Sequence, residues 1–254
     1  MCFSIATATL AVLEYGKKRK ASQAHAIAQS ISNIGSELKS YFFVSAFEHP
    51  KVLCFTNEYP LKAQTLNWGL IPYWVHNNNT ANKIIKQTLN ARVESIFDKK
   101  SFKKSALEKR CLIYIDGYFE YFHFKAKTYP HFIYIKNLEP MILAGLWDNY
   151  TDTKTNRIIK TFTVVTTKAN TKLEKIHNNP KRNEARMPII LTPENQDYWL
   201  NHCNNFKKIE PILNSQENIN LNFHSVSQLT GNNGTGNTPL ANKKFKYNEL
   251  ENVL

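Results

Sequence analysis

The segment from Cys111 to Thr167 constrains the fold more than any other part of the chain. It contains four stretches dense in Ile, Val, Tyr, Phe and Thr, which are residues that favour strands: Cys111–Phe124, Phe132–Lys136, Met141–Trp147 and Thr161–Thr167. The polar connection Asp148–Asn156 joins the last two stretches and indicates a hairpin. The sequence therefore predicts an α+β domain built on a mixed, barrel-like sheet with peripheral helices.

Three stretches predict those helices. Ala21–Tyr41 has apolar residues at helical spacing, namely Ala24, Ile27, Ile31, Ile34 and Leu38. Ser101–Lys109 predicts a short helix with Ser101 as its N-cap and lysines on its outer face. Pro193–Cys203 predicts a third helix, with Thr192 as its cap and proline at its first position.

The rest of the chain predicts extended segments, loops and a tail. Phe42–Phe55 is extended apart from a turn at His49 and Pro50, and Leu66–Trp74 is a strand that runs into a loop. The Asn-rich stretch His76–Asn82 predicts a loop. From Gln228 the sequence becomes polar and rich in Gly and Asn, so we expect one domain over residues 1–227 and a flexible polar and basic tail over 228–254.

The charge of the chain favours a polyanionic partner. The chain has 33 basic and 20 acidic residues among 254, which gives a formal net charge of +13. Such a surplus favours nucleic acid or an anionic membrane surface, although net charge does not by itself identify a function. The alternative at this point is an ordinary basic soluble protein.

Membrane, secretory and metal-binding classes receive no support from the sequence. No stretch approaches the roughly 18 apolar residues of a membrane span. The lysines near the N-terminus follow its apolar stretch, which is the reverse of a secretory signal. The four cysteines are scattered without metal-ligand spacing, so we expect neither disulfides, nor a metal, nor another cofactor: Cys2, Cys54, Cys111 and Cys203. We predict a cytoplasmic protein.

Cys2 offers a chemistry that no other residue of the chain offers. If Met1 is removed, Cys2 carries an α-amine and a thiol on one residue. The amine has a reference pKa of about 7.7–8.0, so part of it is a free nucleophile near neutral pH. It can form a Schiff base with an aldehyde, and the thiol can then close a five-membered thiazolidine ring. On its position alone, however, Cys2 is better explained as a chance cysteine beside the first methionine.

Three further segments contain candidate polar groups. Asn90 and Arg92 lie two residues apart in Thr88–Glu94, which on its own is typical of a solvated turn. Glu120 follows an apolar strand and stands among aromatic residues, where a carboxylate suits general acid–base work or simply faces solvent. His177 stands before a polar loop, where a single histidine is more often structural than catalytic.

Together these segments resemble one known family. The matching segments, in chain order, are Met1-Cys2, Trp68–Pro72 with Trp74, Asn90–Arg92, Arg110–Ile113, Asp116–Glu120, Ala144–Trp147, Thr161–Asn170, and Ile176-His177 ahead of Arg186–Pro188. This order resembles the SOS response-associated peptidase (SRAP) family, over roughly Met1 to Leu200. The resemblance implies a single domain with a basic groove that captures abasic sites in single-stranded DNA, as part of the SOS and DNA-damage responses.

The resemblance also assigns roles. The catalytic residues would be Cys2 as nucleophile, Asn90, Glu120 and His177, which give DNA–protein crosslinking and lyase- or peptidase-like activity. The residues expected to contact DNA are Trp68, Trp74, Arg92, Lys181, Arg182 and Arg186. We expect a monomer that associates with the nucleoid when it binds DNA.

The chain departs from the family in two places. The family usually begins Met-Cys-Gly-Arg, whereas Phe3 and Ser4 follow Cys2 here, so a phosphate-binding arginine is absent. The stretch from His177 to Arg186 is longer than the shortest family form. The family name also implies that residues ahead of the cysteine are removed by the protein itself.

Two other functions remain open from the sequence. In the first, Cys2 is the nucleophile, His177 the base and Asn90 the orienting group of a peptidase or amidohydrolase, since such Cys-His-Asn sets occur in proteases. In the second, the protein binds single-stranded DNA without catalysis, and its affinity falls steeply with salt.

Overall fold

The computed structural model describes residues 2–7, 21–136, 139–251 and 253, and for residues 21–25 and 36 it describes the backbone alone. The strands in these parts of the chain are β1 Ser4–Thr7, β2 Tyr41–Ser45, β3 Lys51–Thr56, β4 Tyr59–Trp68, β5 Asn90–Arg92, β6 Arg110–Ile115, β7 Gly117–Phe124, β8 Lys127–Ile135, β9 Met141–Thr151, β10 Ile158–Lys168, β11 Arg186–Pro188 and β12 Leu221–Ser225. The α-helices are α1 Ala21–Ile34, α2 Asn78–Ile84, α3 Lys103–Glu108, α4 Thr171–Glu174, α5 Pro193–His202 and α6 Phe206–Asn214.

Five of these strands close into a barrel. β4, β3, β6 and β9 pair antiparallel in that order, and β10 pairs antiparallel with β9 and parallel with β4. Because the last strand pairs with the first, the mixed sheet has no free edge within this ring. The short strands β5 and β11 add to β10. The prediction of an α+β fold with a barrel-like core and peripheral helices is therefore confirmed.

The barrel strands supply two hydrophobic clusters, as expected from the alternation of side chains along a strand. One set, which includes Leu53 and Leu112, packs with residues of α1, α5 and α6. The other set, which includes Cys54, Ile113 and Trp68, packs with residues of a second sheet. Every barrel strand is thus covered by apolar residues on both faces.

The second sheet is open and has five strands in the order β12-β8-β7-β1-β2. All its neighbouring strands are antiparallel. The chain passes from the barrel into this sheet at Asp116, between β6 and β7, and the Asp116 backbone N–H donates to the Ala6 carbonyl over 2.9 Å. Gly117 begins β7 because a Cβ there would lie 2.3 Å from the Ile133 carbonyl oxygen. The β-rich stretch Cys111–Phe124 therefore forms two strands that belong to different sheets.

Glycine and asparagine account for two other differences from the predicted elements. The first helix ends at Ile34 rather than continuing to Tyr41, because Gly35 adopts a left-handed φ of 50° and a short 3-10 turn follows. The predicted loop His76–Asn82 instead begins α2. The Asn77 side chain is its N-cap and accepts from the Thr80 N–H over 2.8 Å.

Neither of the two side chains predicted to cap α3 and α5 makes a capping hydrogen bond. Phe102, rather than Ser101, is the N-cap of α3, and the helix begins at Lys103. Thr192 occupies the N-cap position of α5, but its side chain makes no cap hydrogen bond. Pro193 does stand in the first turn of α5, as expected. The expected hairpin between β9 and β10 is confirmed by their antiparallel pairing.

The segment after Gln228, expected to be a flexible tail, makes specific contacts with the open sheet. Leu229 and Ala241 are buried in a cluster with Phe119 and Phe132. The Asn237 carboxamide oxygen accepts from the Phe42 and Phe43 N–H groups on the edge strand β2, over 2.8 and 3.3 Å. Its polar composition gave no indication of these contacts. The domain boundary at residue 227 stays a prediction.

Among the helices that the structure describes, none has the length and apolar character needed to cross a bilayer.

Candidate active site at the junction of the two sheets

Cys2 lies where the open sheet meets the barrel. It is buried and lies two residues before the start of β1, which lies between β2 and β7. In β1, Ile5 pairs with Tyr118, so continuing the antiparallel register places Phe3 opposite Glu120. The Phe3 carbonyl also accepts from the Ala46 N–H over 2.8 Å. This pairing brings Cys2 to the middle of β7, near Glu120.

The barrel supplies Asn90 from the other side. β5 runs parallel to β10, with Asn90 paired to Val164, and the Trp68 indole N–H donates to the Leu89 carbonyl over 2.8 Å. The Asn90 Nδ2 group donates to the Cys2 carbonyl over 2.8 Å. The Asn90 Oδ1 atom is buried and has no hydrogen-bond partner among the described residues. A buried acceptor beside Cys2 is thus left for an N–H or O–H donor that arrives there.

Glu120 and His177 form a pair next to this point. The His177 Nδ1 atom lies 3.0 Å from Glu120 Oε2, and the side chains are 6% and 14% exposed. His177 follows α4, whose N-cap Asn170 accepts from the Leu173 N–H over 3.0 Å. The His177 N–H donates to the Leu173 carbonyl over 2.8 Å. The cap and this turn fix the histidine so that it meets the carboxylate.

The surroundings keep the Cys2 thiol neutral. Burial raises the pKa of the Cys2 thiol, against the opposing positive charge of the chain terminus, and the charge of Glu120 adds to the rise. Burial likewise raises the pKa of Tyr118, and the charges of Glu120 and Cys2 contribute. Cys2 and Tyr118 are buried in the same cluster, and the charge of Glu120 raises the pKa of both groups. A base must therefore take the thiol proton before the sulfur reacts.

Tyr118 is a member of the site that the sequence did not single out. It lies two residues before Glu120 and therefore on the same face of β7. This two-residue spacing was the available signal. Because Tyr118 is buried in the cluster shared with the barrel, that face of β7 points to the junction of the two sheets.

Four of the expected DNA contacts lie at the surface. Arg92 is exposed on the same face of β5 as Asn90, whereas Ala91 between them is buried. Trp74 is partly exposed, with the Lys100 ammonium 4.6 Å from its ring centroid. Lys181 and Arg182 are exposed on the loop after His177.

The loop that carries Lys181 and Arg182 is fixed to the β7–β8 hairpin. The Asn178 side chain accepts from the His123 N–H over 2.7 Å and donates to the His123 carbonyl over 2.8 Å. Burial lowers the pKa of His123, Glu120 opposes this shift, and the charges of His177 and Lys181 add to it. The longer stretch between His177 and Arg186 is thus held beside the β7–β8 hairpin, a placement that the sequence did not show.

Two expected DNA contacts are wrong because the side chains are inside the protein. Trp68 is 0% exposed and stacks on Phe162 with ring centroids 6.0 Å apart, so its ring has no face for a base. Arg186 is 3% exposed and forms a bidentate pair with Glu94, with both contacts at 2.9 Å, and a 2.7 Å contact with Glu184. Both residues support β5 and its surroundings instead of contacting a ligand.

The described cysteines and acidic residues form no metal centre. All four cysteines are free and buried. Among the residues that the structure describes, no group of three His, Cys, Asp or Glu side chains could hold a metal ion.

The fold and the site define an α+β protein with a cysteine centre at the junction of a closed barrel and an open sheet. The model of the family "SOS response associated peptidase (SRAP)" matches residues 2–233. The chain therefore belongs to the SRAP family.

Individual proteins of known name or structure are similar to the chain. It is 34% identical over 176 residues to the abasic site processing protein YoqW of Bacillus subtilis. This alignment covers 68% of this chain and 73% of YoqW. The chain is 27% identical to the abasic site processing protein YedK of Escherichia coli, over 65% of this chain and 68% of YedK. A crystal structure of a protein from Bacteroides thetaiotaomicron aligns with a TM-score of 0.78 and 30% identity, over 96% of this chain and all of that one.

Proposed function

We propose that this protein processes abasic sites, and that it captures them in single-stranded DNA through a thiazolidine linkage to Cys2. Relatives of the chain that include YoqW and YedK are named abasic site processing proteins. The observation that carries the proposal is the contact at Cys2. Asn90 donates to the Cys2 carbonyl over 2.8 Å and keeps a buried acceptor atom free beside it.

The reaction has two steps whose atoms balance. The Cys2 α-amine adds to the aldehyde carbon of the ring-opened abasic sugar, and loss of one water gives an imine. The thiol sulfur then adds to the imine carbon, and the thiol proton ends on the nitrogen. The product is a five-membered ring and the net loss is one water. Because burial keeps the thiol protonated, the amine reacts first.

Asn90, Glu120 and His177 serve these proton transfers. The Asn90 Oδ1 atom accepts from the α-amine and orients its lone pair toward the aldehyde. Glu120 receives the amine proton, donates it to the departing water, and takes the thiol proton for transfer to nitrogen. His177 lies 3.0 Å from Glu120 and holds that carboxylate in place while it exchanges protons.

The amine exists only after Met1 is removed. While Met1 is attached, the Cys2 nitrogen belongs to a peptide bond and cannot form an imine. Its removal, by the protein itself or by an aminopeptidase, is therefore the first step of the proposed activity.

A basic groove for the DNA backbone follows from the exposed cations. Arg92 lies on the same face of β5 as Asn90 and suits bidentate contact with a phosphate. Lys181 and Arg182 are exposed on the loop that Asn178 joins to β7 at His123, and the partly exposed ring of Trp74 is available for stacking. We propose that one monomer holds one strand in this way.

The Glu120–His177 pair also favours a second candidate, a cysteine-dependent peptidase or amidohydrolase. A histidine oriented by a carboxylate is a component of such sites. Under this candidate Cys2 attacks an amide carbonyl through sulfur, and its N-terminal amine has no role. Turnover of peptide or amide substrates, without any response to abasic DNA, would favour it.

The experiment that tests the proposal is a crosslinking assay. Protein whose intact mass shows that Met1 is absent is incubated with single-stranded DNA that contains one abasic site, and with the same strand undamaged. We expect a heat-stable adduct with the abasic strand alone. Cys2→Ala keeps the amine but lacks the sulfur, so it should give an imine that borohydride traps and no heat-stable adduct. Equal heat-stable adduct from Cys2→Ala would overturn the mechanism.

A further inference from the structure

Two stacked phenylalanine rings lie beside Cys2, and the proposed chemistry does not use them. Phe3 directly follows Cys2, and its ring stacks on Phe47 with centroids 5.5 Å apart and planes inclined by 23°. Phe47 is 58% exposed, the largest exposed fraction among the phenylalanine, tyrosine and tryptophan side chains that the structure describes. One face of the Phe47 ring is thus covered by Phe3 while much of the ring remains open to water.

The local backbone holds this ring pair rigidly. Phe47 lies in the 3-10 turn Ala46–Glu48, which a capping box closes. Ser45 accepts from the Phe47 N–H over 3.3 Å, and Glu48 accepts from the Ser45 N–H over 3.1 Å. The Ala46 N–H is bonded to the Phe3 carbonyl, which ties the turn to β1. The exposed ring is therefore fixed in relation to the cysteine instead of being a freely moving surface side chain.

A fixed, exposed ring has a cost that a ligand can remove. Burial of a phenylalanine side chain is favourable, and Phe47 forgoes much of that gain. Single exposed apolar residues are common on protein surfaces. Phe47 differs from them because it is preorganised by a capping box and by the ring of Phe3, which directly follows the proposed nucleophile in the chain.

We propose that the Phe3–Phe47 pair is a stacking site for an unpaired nucleobase next to the lesion. This inference rests on the proposed function, since a strand bound at Cys2 must pass its neighbouring base close to these rings. Every base has a flat π-face that fits the open side of Phe47, so the site takes any base without reading its sequence. The chain's formal net charge of +13 favours a polyanionic strand over a neutral or basic partner surface.

The test separates stacking from covalent capture. The probe is single-stranded DNA with a tetrahydrofuran abasic analogue, which has no aldehyde, and with fluorescent 2-aminopurine beside it. Stacking on a ring quenches this base. We expect Phe47→Leu to weaken binding by about 5- to 10-fold and to remove the quenching. Phe47→Trp keeps an aromatic ring, so it should bind the probe and quench its fluorescence as the unmodified protein does.

The matched control is Phe245→Leu. Phe245 is 44% exposed and packs on Tyr247 with ring centroids 4.8 Å apart, but it is held by Ser225 at the other edge of the same sheet. This variant should bind the probe like the unmodified protein. Equal melting temperatures of all three variants would show that the fold is intact.

The outcomes distinguish this inference from the proposed function. If Phe47→Leu binds and quenches as the unmodified protein does, or lowers self-association alone, the stacking site is overturned while crosslinking can still occur. If the unmodified protein binds the probe through Phe47 but forms no adduct with aldehyde-bearing DNA, the stacking site stands and covalent capture fails. If the unmodified protein binds neither DNA, the stacking site is overturned too.

Discussion

The closed barrel and the open sheet differ in what they contribute to the site. The barrel strands have apolar residues on both faces, and three of the largest side chains that are fully buried lie there: Trp68, Trp147 and Phe162. The open sheet carries Cys2 and Glu120 and keeps two edges, β12 and β2. The barrel's part is to hold Asn90 against the Cys2 carbonyl. The comparison teaches that the closed barrel orients Cys2 through Asn90, while the open sheet carries the proposed nucleophile Cys2 and Glu120.

The largest effect should come from breaking the barrel. Trp68→Ala removes a fully buried ring and leaves the Leu89 carbonyl without its indole donor. Large-to-small changes of this kind cost about 3–5 kcal/mol, so the free energy of unfolding should fall by that amount in urea titrations. Adduct formation should fall with it, because Leu89 directly precedes Asn90. Trp68→Phe keeps most of the volume and should cost much less.

A change in the open sheet should act on rate instead of stability. Glu120→Gln keeps the shape of the side chain but cannot exchange protons, so adduct formation should slow by about 100-fold. Urea titrations should show little change in the free energy of unfolding, since Glu120 is partly exposed. A variant that reacts at the normal rate would remove Glu120 from the mechanism.

Acid should weaken the open sheet through His131. Burial lowers the pKa of His131, a hydrogen bond to the Tyr129 carbonyl opposes the shift, and His224 adds to it; burial also lowers the pKa of His224. The unfolded chain, with a reference pKa of about 6.5, therefore binds the proton more readily than the folded protein. The stability that the folded protein gains from a neutral His131 is complete above about pH 6.5. It is lost as the pH falls toward the lowered pKa of His131 in the folded protein.

The measurement is the melting temperature as a function of pH. His131→Phe removes one titrating group, so its melting temperature should fall less steeply below about pH 6.5 than that of the unmodified protein. Parallel curves for the two proteins would show that His131 does not titrate as the buried environment requires.

The smallest effect should come from the edge of the open sheet. Asn237→Ala removes the acceptor that serves the Phe42 and Phe43 N–H groups on β2, and should lower the free energy of unfolding by about 1 kcal/mol. Asn232→Ala, an exposed residue of the same segment, is the control and should change nothing. Equal stability of both variants would mean that the segment after Gln228 does not protect this edge.

The same two regions explain how much of the fold the sequence could predict. The barrel strands β9 and β10 are long apolar and β-branched runs, so their pairing as a hairpin was predictable. The division of Cys111–Phe124 was not, because both of its strands are apolar and only a close backbone approach at Gly117 marks the change of sheet. The helix α2 was missed since asparagine is typical of loops but also of N-caps.

Four members of the candidate site were predicted from the sequence, whereas Tyr118 and the contacts between the residues were not. Cys2, Asn90, Glu120 and His177 were identified through the resemblance to the SRAP family, and the structure brings Asn90 to Cys2 and His177 to Glu120. Residue type misled for Arg186, because one of its two carboxylate partners, Glu94, lies far away in sequence. Burial depends on the tertiary fold, which single residues do not reveal.

The most direct measurement of the central claim is the mass spectrum of the digested adduct. The account predicts an N-terminal peptide, beginning at Cys2, that carries the DNA fragment less one water, with both the α-amine and the thiol unreactive toward labelling reagents. A linkage at a lysine would contradict it, as would an adduct peptide whose Cys2 thiol still reacts with iodoacetamide.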